Sequence, residues 1–247
     1  MSRYILIGDV HGNYNGVNKL LDIVSFKPST DILIFVGDYI DHQKLNDYSS
    51  KNTIDLLLNL KNQSNNIYFL MGNHDLWLRE WLCKNEFINP IWKKQGAIET
   101  FRSYGINNLD DAKNQIDKFP DSHIDFFKNI IQDYYYDENL VAIHGGFTNA
   151  SQMHTISKKE KLPYEQLYQM VWDRRFIFTK LEEEKKVFKN YFGGRYLIVG
   201  HTPYGPYQNK LNEKWFLIDG NSKNGKKQLG LILDNNQSFF VNEDGYI

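Results

Sequence analysis

Aspartate and histidine gather at a few places in this 247-residue chain, each time behind a short apolar run. YILI leads into GDVHG (8–12), ILIFV into GDYID (37–41), IYFLM into GNHD (72–75), LVAI into HGG (144–146), YLIV into GHT (200–202) and WFLI into DG (219–220). Of the seven histidines, His11, His74, His144 and His201 lie inside these clusters, His42 directly follows one, and His123 and His154 stand apart. A lone histidine at a strand end usually satisfies a structural hydrogen bond. Four in the company of Asp9, Asp38, Asp41 and Asn73 suggest metal ligation instead. Nitrogen and oxygen donors without thiolates suit Mn²⁺, Fe or Zn²⁺ better than a structural zinc site. So many donors point to two metal ions ~3.5–4 Å apart, an arrangement that stabilises both oxygens of an in-line displacement at phosphorus.

The elements that must position these residues are legible as punctuation. Continuous apolar runs of this length read as strands covered on both faces, and ligands in open α/β sheets collect beyond the carboxyl ends of such strands. The six clusters are therefore expected to converge on one crevice. Gly8, Gly37, Gly72 and Gly200 each stand immediately before a proposed ligand, where the chain must turn and its backbone must approach a bound group. Helices are expected over Tyr14–Val24, Thr53–Leu60 and Leu76–Cys83, giving a layered α/β fold. The intervals Lys84–Asn139 and Ala150–Gly194 break the rhythm and read as mainly helical insertions, for instance His123–Gln132 and Leu181–Tyr191. LGLILD and SFFVNE read as a closing hairpin around Asn235–Asn236. No second-domain boundary is visible, so residues 1–247 are read as one domain.

Composition narrows the function classes. With 29 basic and 30 acidic residues, no net field draws the chain to nucleic acid or an anionic membrane. Its lysines are mixed with acids or scattered, as on a solvated surface. The single cysteine, Cys83, excludes an internal disulfide and reads as a packed thiol. Without a signal-peptide h-region or a membrane-length apolar run, a cytoplasmic location is the expectation.

GDVHG, GDYID, GNHD, HGG and GHT, in this order, resemble the signature of the calcineurin-like metallophosphoesterase superfamily. More narrowly they resemble its phosphoprotein-phosphatase branch, which includes bacterial serine/threonine phosphatases and symmetrical diadenosine tetraphosphatases. WKKQGAIETFRSYG (92–105), VWDRRF (171–176) and FLIDGNSKNGKKQLGLIL (216–233) extend the resemblance over most of the chain. It implies a sandwich of two mixed β-sheets with helices outside. It also implies that Asp9, His11 and Asp38 bind a first metal, and that Asp38, Asn73, His144 and His201 bind a second, with Asp38 the bridge and Mn²⁺ the leading candidate. His74 would then be the general acid that protonates the leaving oxygen, oriented by Asp41, while a metal-bridging hydroxide attacks in line. Asp75 is read as a helix N-cap. Where the branch commonly continues its second motif as Asp-Arg-Gly, this chain has His42 and Gln43, so one guanidinium clamp on the phosphate is missing and His42 occupies its place. Arg174 resembles the branch's other phosphate-binding arginine; Arg175 and Arg79 read as surface and structural residues, and Trp172 as packing beneath the insertion. The implied activity is phosphomonoester hydrolysis on a phosphorylated protein or peptide. Dinucleoside polyphosphate hydrolysis, phosphodiester hydrolysis and a non-catalytic scaffold are the alternatives.

Overall fold

The structure, a computed structural model, describes residues 3–84, 88–209 and 213–247. The first three apolar runs form β1 (Tyr4–Ile7), β2 (Ile32–Phe35) and β3 (Ile67–Phe69), a parallel trio with Tyr4 beside Ile32 and Leu33 beside Ile67. The next three form β5 (Leu140–Ala142), β6 (Tyr196–Val199) and β8 (Trp215–Leu217), again parallel. Two-residue strands close the second sheet on either side: β4 (Tyr135–Tyr136) pairs antiparallel with β5, and β7 (Tyr207–Gln208) with β8. The first sheet is completed by β9 (Leu229–Asp234), β10 (Gln237–Asn242) and β11 (Gly245–Tyr246), all joined antiparallel. The sheet orders are β11-β10-β9-β1-β2-β3 and β4-β5-β6-β8-β7, two mixed sheets as expected.

Alternation along the strands shows why both faces had to be apolar. Tyr4 and Leu6 of β1 join Ile34, Leu140, Ala142, Ile198, Phe216 and Leu231 in a cluster between the sheets. Ile5, Ile7, Val141, Leu197 and Leu217 point the other way and pack under helices. Those helices include α1 (Tyr14–Ile23), α2 (Ser50–Lys61) and α3 (Asn73–Lys84). In the first insertion follow α4 (Pro90–Trp92), α5 (Ile98–Ser103) and α6 (Asp121–Asp125); in the second, α7 (Ala150–Ser157), α8 (Tyr164–Trp172) and α9 (Glu182–Phe192). No helix among the described residues is long and apolar enough to cross a membrane.

Three differences from the sequence reading have physical causes. Helix α3 begins at Asn73 rather than Leu76, so the metal-type residues of GNHD occupy its first turn. The strands β4, β7 and β11 are too short to impose a period on the sequence. Cys83 is exposed, not packed: it lies on the outer side of α3, whose buried side carries Leu76, Trp77, Leu78, Trp81 and Leu82. The hairpin turn matches expectation, with Asn235 and Asn236 both at positive φ (48° and 63°), as a tight two-residue turn requires.

Candidate metal centre and active site

The chain leaves β1, β2 and β6 in an uncommon backbone conformation. His11, Asp38, Asp41 and His201 have φ of 46°, 54°, 66° and 65°, the left-handed region that costs a non-glycine residue on the order of 1–3 kcal/mol. Tertiary hydrogen bonds hold them there. The amides of Val10 and His11 both donate to Asp38 O, at 3.0 and 2.8 Å, joining the first two motifs. The buried carboxylate of Asp75 accepts from the amides of Asp38 (2.7 Å), Tyr39 (3.0 Å) and Gly72 (3.0 Å), joining the second and third. Asp75 is therefore more than a helix cap: it fixes two motif loops to each other. Glycine is required at Gly72 and Gly200 by close approach. A Cβ on Gly72 would lie 2.1 Å from Asp38 Oδ1, and one on Gly200 2.2 Å from Asp9 Oδ1.

Backbone carbonyls set the imidazole tautomers. His11 Nδ1 donates to Ile40 O (2.7 Å) and His144 Nδ1 to Val36 O (2.8 Å), because a carbonyl can only accept. Each ring therefore turns its Nε2 to the interior, and both face the same atom: Asp38 Oδ2 lies 3.5 Å from His11 Nε2 and 3.4 Å from His144 Nε2. Asp9 Oδ2 is 4.0 Å from His11 Nε2, and the Asp9 carboxylate accepts the His201 amide at 3.0 and 3.1 Å. Asn73 Oδ1 is 3.1 Å from His144 Nε2, and buried His201 Nε2 has no hydrogen-bond partner.

Several buried imidazole nitrogens and carboxylates crowded together make poor company unless a cation lies among them. The titration behaviour carries the same strain. Burial pushes His11 down to about 3, and burial with the neighbouring His144 pushes His201 down as well. Burial opposes charge on His144 too, but Asp38 and Asp9 outweigh it and raise it to about 10. Burial would raise Asp38, yet His144 and His74 hold it well below the usual carboxylate range; burial and Asp219 drive Asp9 well above it. Asp9 and Asp38 form no ion pair with Lys or Arg among the described residues. Buried acids need a compensating charge, and divalent metal ions fit this donor set. Two groups of three donors each lie within 4.8 Å of one another, His11–Asp38–His74 and Asp38–His144–His201, sharing Asp38.

His74 differs from the other imidazoles in that its Nδ1 donates to a carboxylate, Asp41 Oδ2, at 2.6 Å. Asp41 is fully buried, and its carboxylate also accepts from Trp92 Nε1 (2.5 Å) and Thr100 Oγ1 (2.5 Å). Trp92 and Thr100 carried no site signal of their own, although both fall in the WKKQGAIET stretch of the first insertion. His74 Nε2 is left facing a pocket of about 270 Å³, where Lys223 Nζ stands 3.2 Å away. Arg174 lines the same pocket and donates from Nη1 to His201 O (2.8 Å), whereas the Arg175 side chain is 87% exposed and turns to Asp173. Trp172 is half-buried, packed against the core as expected but also on the pocket wall, edge-on to Trp77 and to the His201 ring.

His42 is not brought to this pocket. Its buried ring lies against Gly12 and near Tyr48, with Nδ1 bonded to Gln43 O at 2.5 Å, and it is Gln43 that reaches the pocket wall. Its ring packs the first motif onto the second, so the sequence register that set His42 in an arginine's place does not give it that arginine's direction. Lys223 was missed because a lysine in the polar stretch GNSKNGKK is indistinguishable from a surface residue by pattern.

Comparison with known proteins agrees with this architecture. The chain is 29% identical over 195 residues to a symmetrical bis(5'-nucleosyl)-tetraphosphatase of Wigglesworthia glossinidia brevipalpis, an alignment covering 77% of this chain and 62% of that protein. Among solved structures it is similar in fold to a cold-active protein-tyrosine phosphatase of a Shewanella species (TM-score 0.67, 17% identity, 99% of this chain and 79% of the other). A protein serine/threonine phosphatase from Saccharomyces cerevisiae is similar to the same degree (TM-score 0.67, 15% identity, 98% and 79%). The sequence pattern of the calcineurin-like phosphoesterases matches residues 2–205, and the chain belongs to that family.

Proposed function

We propose that this chain is a metal-dependent phosphoesterase that cleaves phosphomonoesters in the manner of a serine/threonine protein phosphatase, acting in the cytoplasm as a single domain. The observation that carries the reading is the placement of Asp38 Oδ2 between two imidazole Nε2 atoms, beside a third imidazole held by a buried carboxylate. Asp9, His11 and Asp38 would hold one divalent cation and Asp38, Asn73, His144 and His201 a second, with Mn²⁺ the leading candidate. When bound, the pair supplies Lewis-acid activation of the phosphoryl group and of the attacking water.

The remaining steps belong to the chain's own residues. Arg174, on the pocket wall, binds phosphoryl oxygens. His74 delivers the proton: Asp41 keeps Nδ1–H in place and supports the imidazolium, so the Nε2 proton goes to the leaving-group oxygen as the P–O bond breaks. Water supplies the new oxygen on phosphorus, and the products are an alcohol and inorganic phosphate. A contribution of about 10²–10⁴ in rate is typical for such a positioned acid.

A second reading, hydrolysis of dinucleoside polyphosphates, is favoured by the pocket wall. Trp77 and Trp172 meet there with ring centroids 5.0 Å apart, and Ile91 beside them is 61% exposed, an apolar shelf suited to a flat base. The name of the Wigglesworthia relative points the same way. Incubating Mn²⁺-loaded protein with a phosphoserine peptide, diadenosine tetraphosphate and a phosphodiester separates these readings. Fastest turnover is expected on the peptide; preference for the tetraphosphate favours the second reading, and comparable inactivity on all three contradicts both.

A further inference from the structure

Two cations line the pocket among the described residues, Arg174 and Lys223, and neither forms an ion pair. Lys223 Nζ donates to Gln95 Oε1 at 2.8 Å and stands 3.2 Å from His74 Nε2, so neither contact is with an anion. A half-buried ammonium spent on such partners is under-compensated. Its position is also built rather than incidental. Lys223 sits in the turn Ser222–Asn224, entered through Asn221 and left through Gly225, both in the left-handed region. The buried Ser222 hydroxyl donates to Val10 O (2.9 Å) in the first motif, and Lys223 O accepts the amide of Gln43 (3.1 Å) in the second. Asn221 N donates to Asp219 Oδ1 (2.8 Å), fixing the turn to the end of β8. The lysine is thus carried on a turn tied to the same loops that carry the proposed metal ligands and His74's orienter.

We propose that Lys223 is the pocket's second phosphate-binding cation, opposite the role given to Arg174 and in place of the clamp that His42 does not provide. The proposal rests on the phosphoesterase reading. Its location specifies which oxygen it grips. An oxygen hydrogen-bonded to His74 Nε2 is, on that reading, the leaving-group oxygen, and Lys223 Nζ lies next to that nitrogen. The ammonium therefore takes a non-bridging phosphoryl oxygen on the leaving-group side, gaining the anionic partner it otherwise lacks. A lysine serves here as a point charge on a flexible stem, where arginine would impose a planar fork.

The test is equilibrium binding of inorganic phosphate to the metal-loaded protein, measured alongside p-nitrophenyl phosphate kinetics. Lys223→Ala is expected to weaken phosphate binding roughly 10- to 100-fold, the range for losing a hydrogen bond to a charged group, with metal content and melting temperature unchanged. KM should rise by a similar factor with kcat little affected, because the contact is made in ground and transition states alike. Lys223→Arg should recover most of the binding. Phosphate binding unchanged in Lys223→Ala, or a fall in kcat at constant KM, overturns the assignment; the latter would mean that the lysine merely positions His74. Wild-type protein that neither binds phosphate nor hydrolyses the ester contradicts the phosphoesterase reading itself, and Lys223 falls with it.

Discussion

At the scale of single residues, proton direction separates three of the site imidazoles into two kinds. His11 and His144 donate from Nδ1 to main-chain carbonyls, which turns both Nε2 atoms toward Asp38 as ligands in waiting. His74 donates to Asp41 and can carry charge. The distinction predicts the effect of Asp41→Asn. An amide oxygen can still accept from His74 and Trp92, and the Thr100 hydroxyl can rotate to meet the amide nitrogen, so the fold should persist. The support for an imidazolium is lost, however, and turnover should fall roughly 100-fold, within the range of a general-acid contribution. Steady-state kinetics beside a thermal melt check this, and undiminished turnover would dissociate Asp41 from the chemistry.

At the scale of elements, strand ends do the positioning, and they do it through backbone rather than side-chain volume. β1, β2 and β6 end in left-handed residues stitched together by amide donors to Asp38 O, Asp75 and Asp9. This explains the glycine that precedes each cluster more sharply than turn propensity does, because at Gly72 and Gly200 the space belongs to a ligand carboxylate. Gly200→Ala puts a methyl group 2.2 Å from Asp9 Oδ1, so Asp9 must swing away. Metal affinity should drop about 10- to 100-fold, the usual cost of disturbing a ligand's support. Elemental analysis after dialysis measures it, and full retention of metal would show that Asp9 is dispensable.

At the scale of the molecule, the parts legible in the sequence were those with repetition. Six apolar runs, each ending in glycine and a donor residue, disclosed the strands, and their shared ends foretold convergence. The strands β1, β2 and β3 fall within those runs, and α1 starts at Tyr14 as that pattern implies. What stayed hidden depends on tertiary approach. The inward turn of Lys223 comes from Ser222 and Gln43 anchoring a 3-10 turn, not from local composition. The burial of His42 comes from the missing side chain of Gly12 beneath it. Trp92 and Thr100 reach Asp41 only because the first insertion folds back across α2, where Ser50 and Thr100 hydroxyls meet at 3.0 Å. Motif loops from both sheets and the insertion thus converge on one pocket, as metal-dependent acid catalysis requires.

His74 is proposed as a proton donor beside the metal-holding residues, although it lies within donor distance of His11 and Asp38 and its ring is edge-on to His11 at 5.0 Å. The direct measurement is metal content and p-nitrophenyl phosphate turnover in the same preparation of His74→Asn. Metal content equal to wild type with turnover lowered roughly 10²- to 10⁴-fold is the predicted result. Unchanged turnover, or loss of one metal equivalent together with activity, would contradict it.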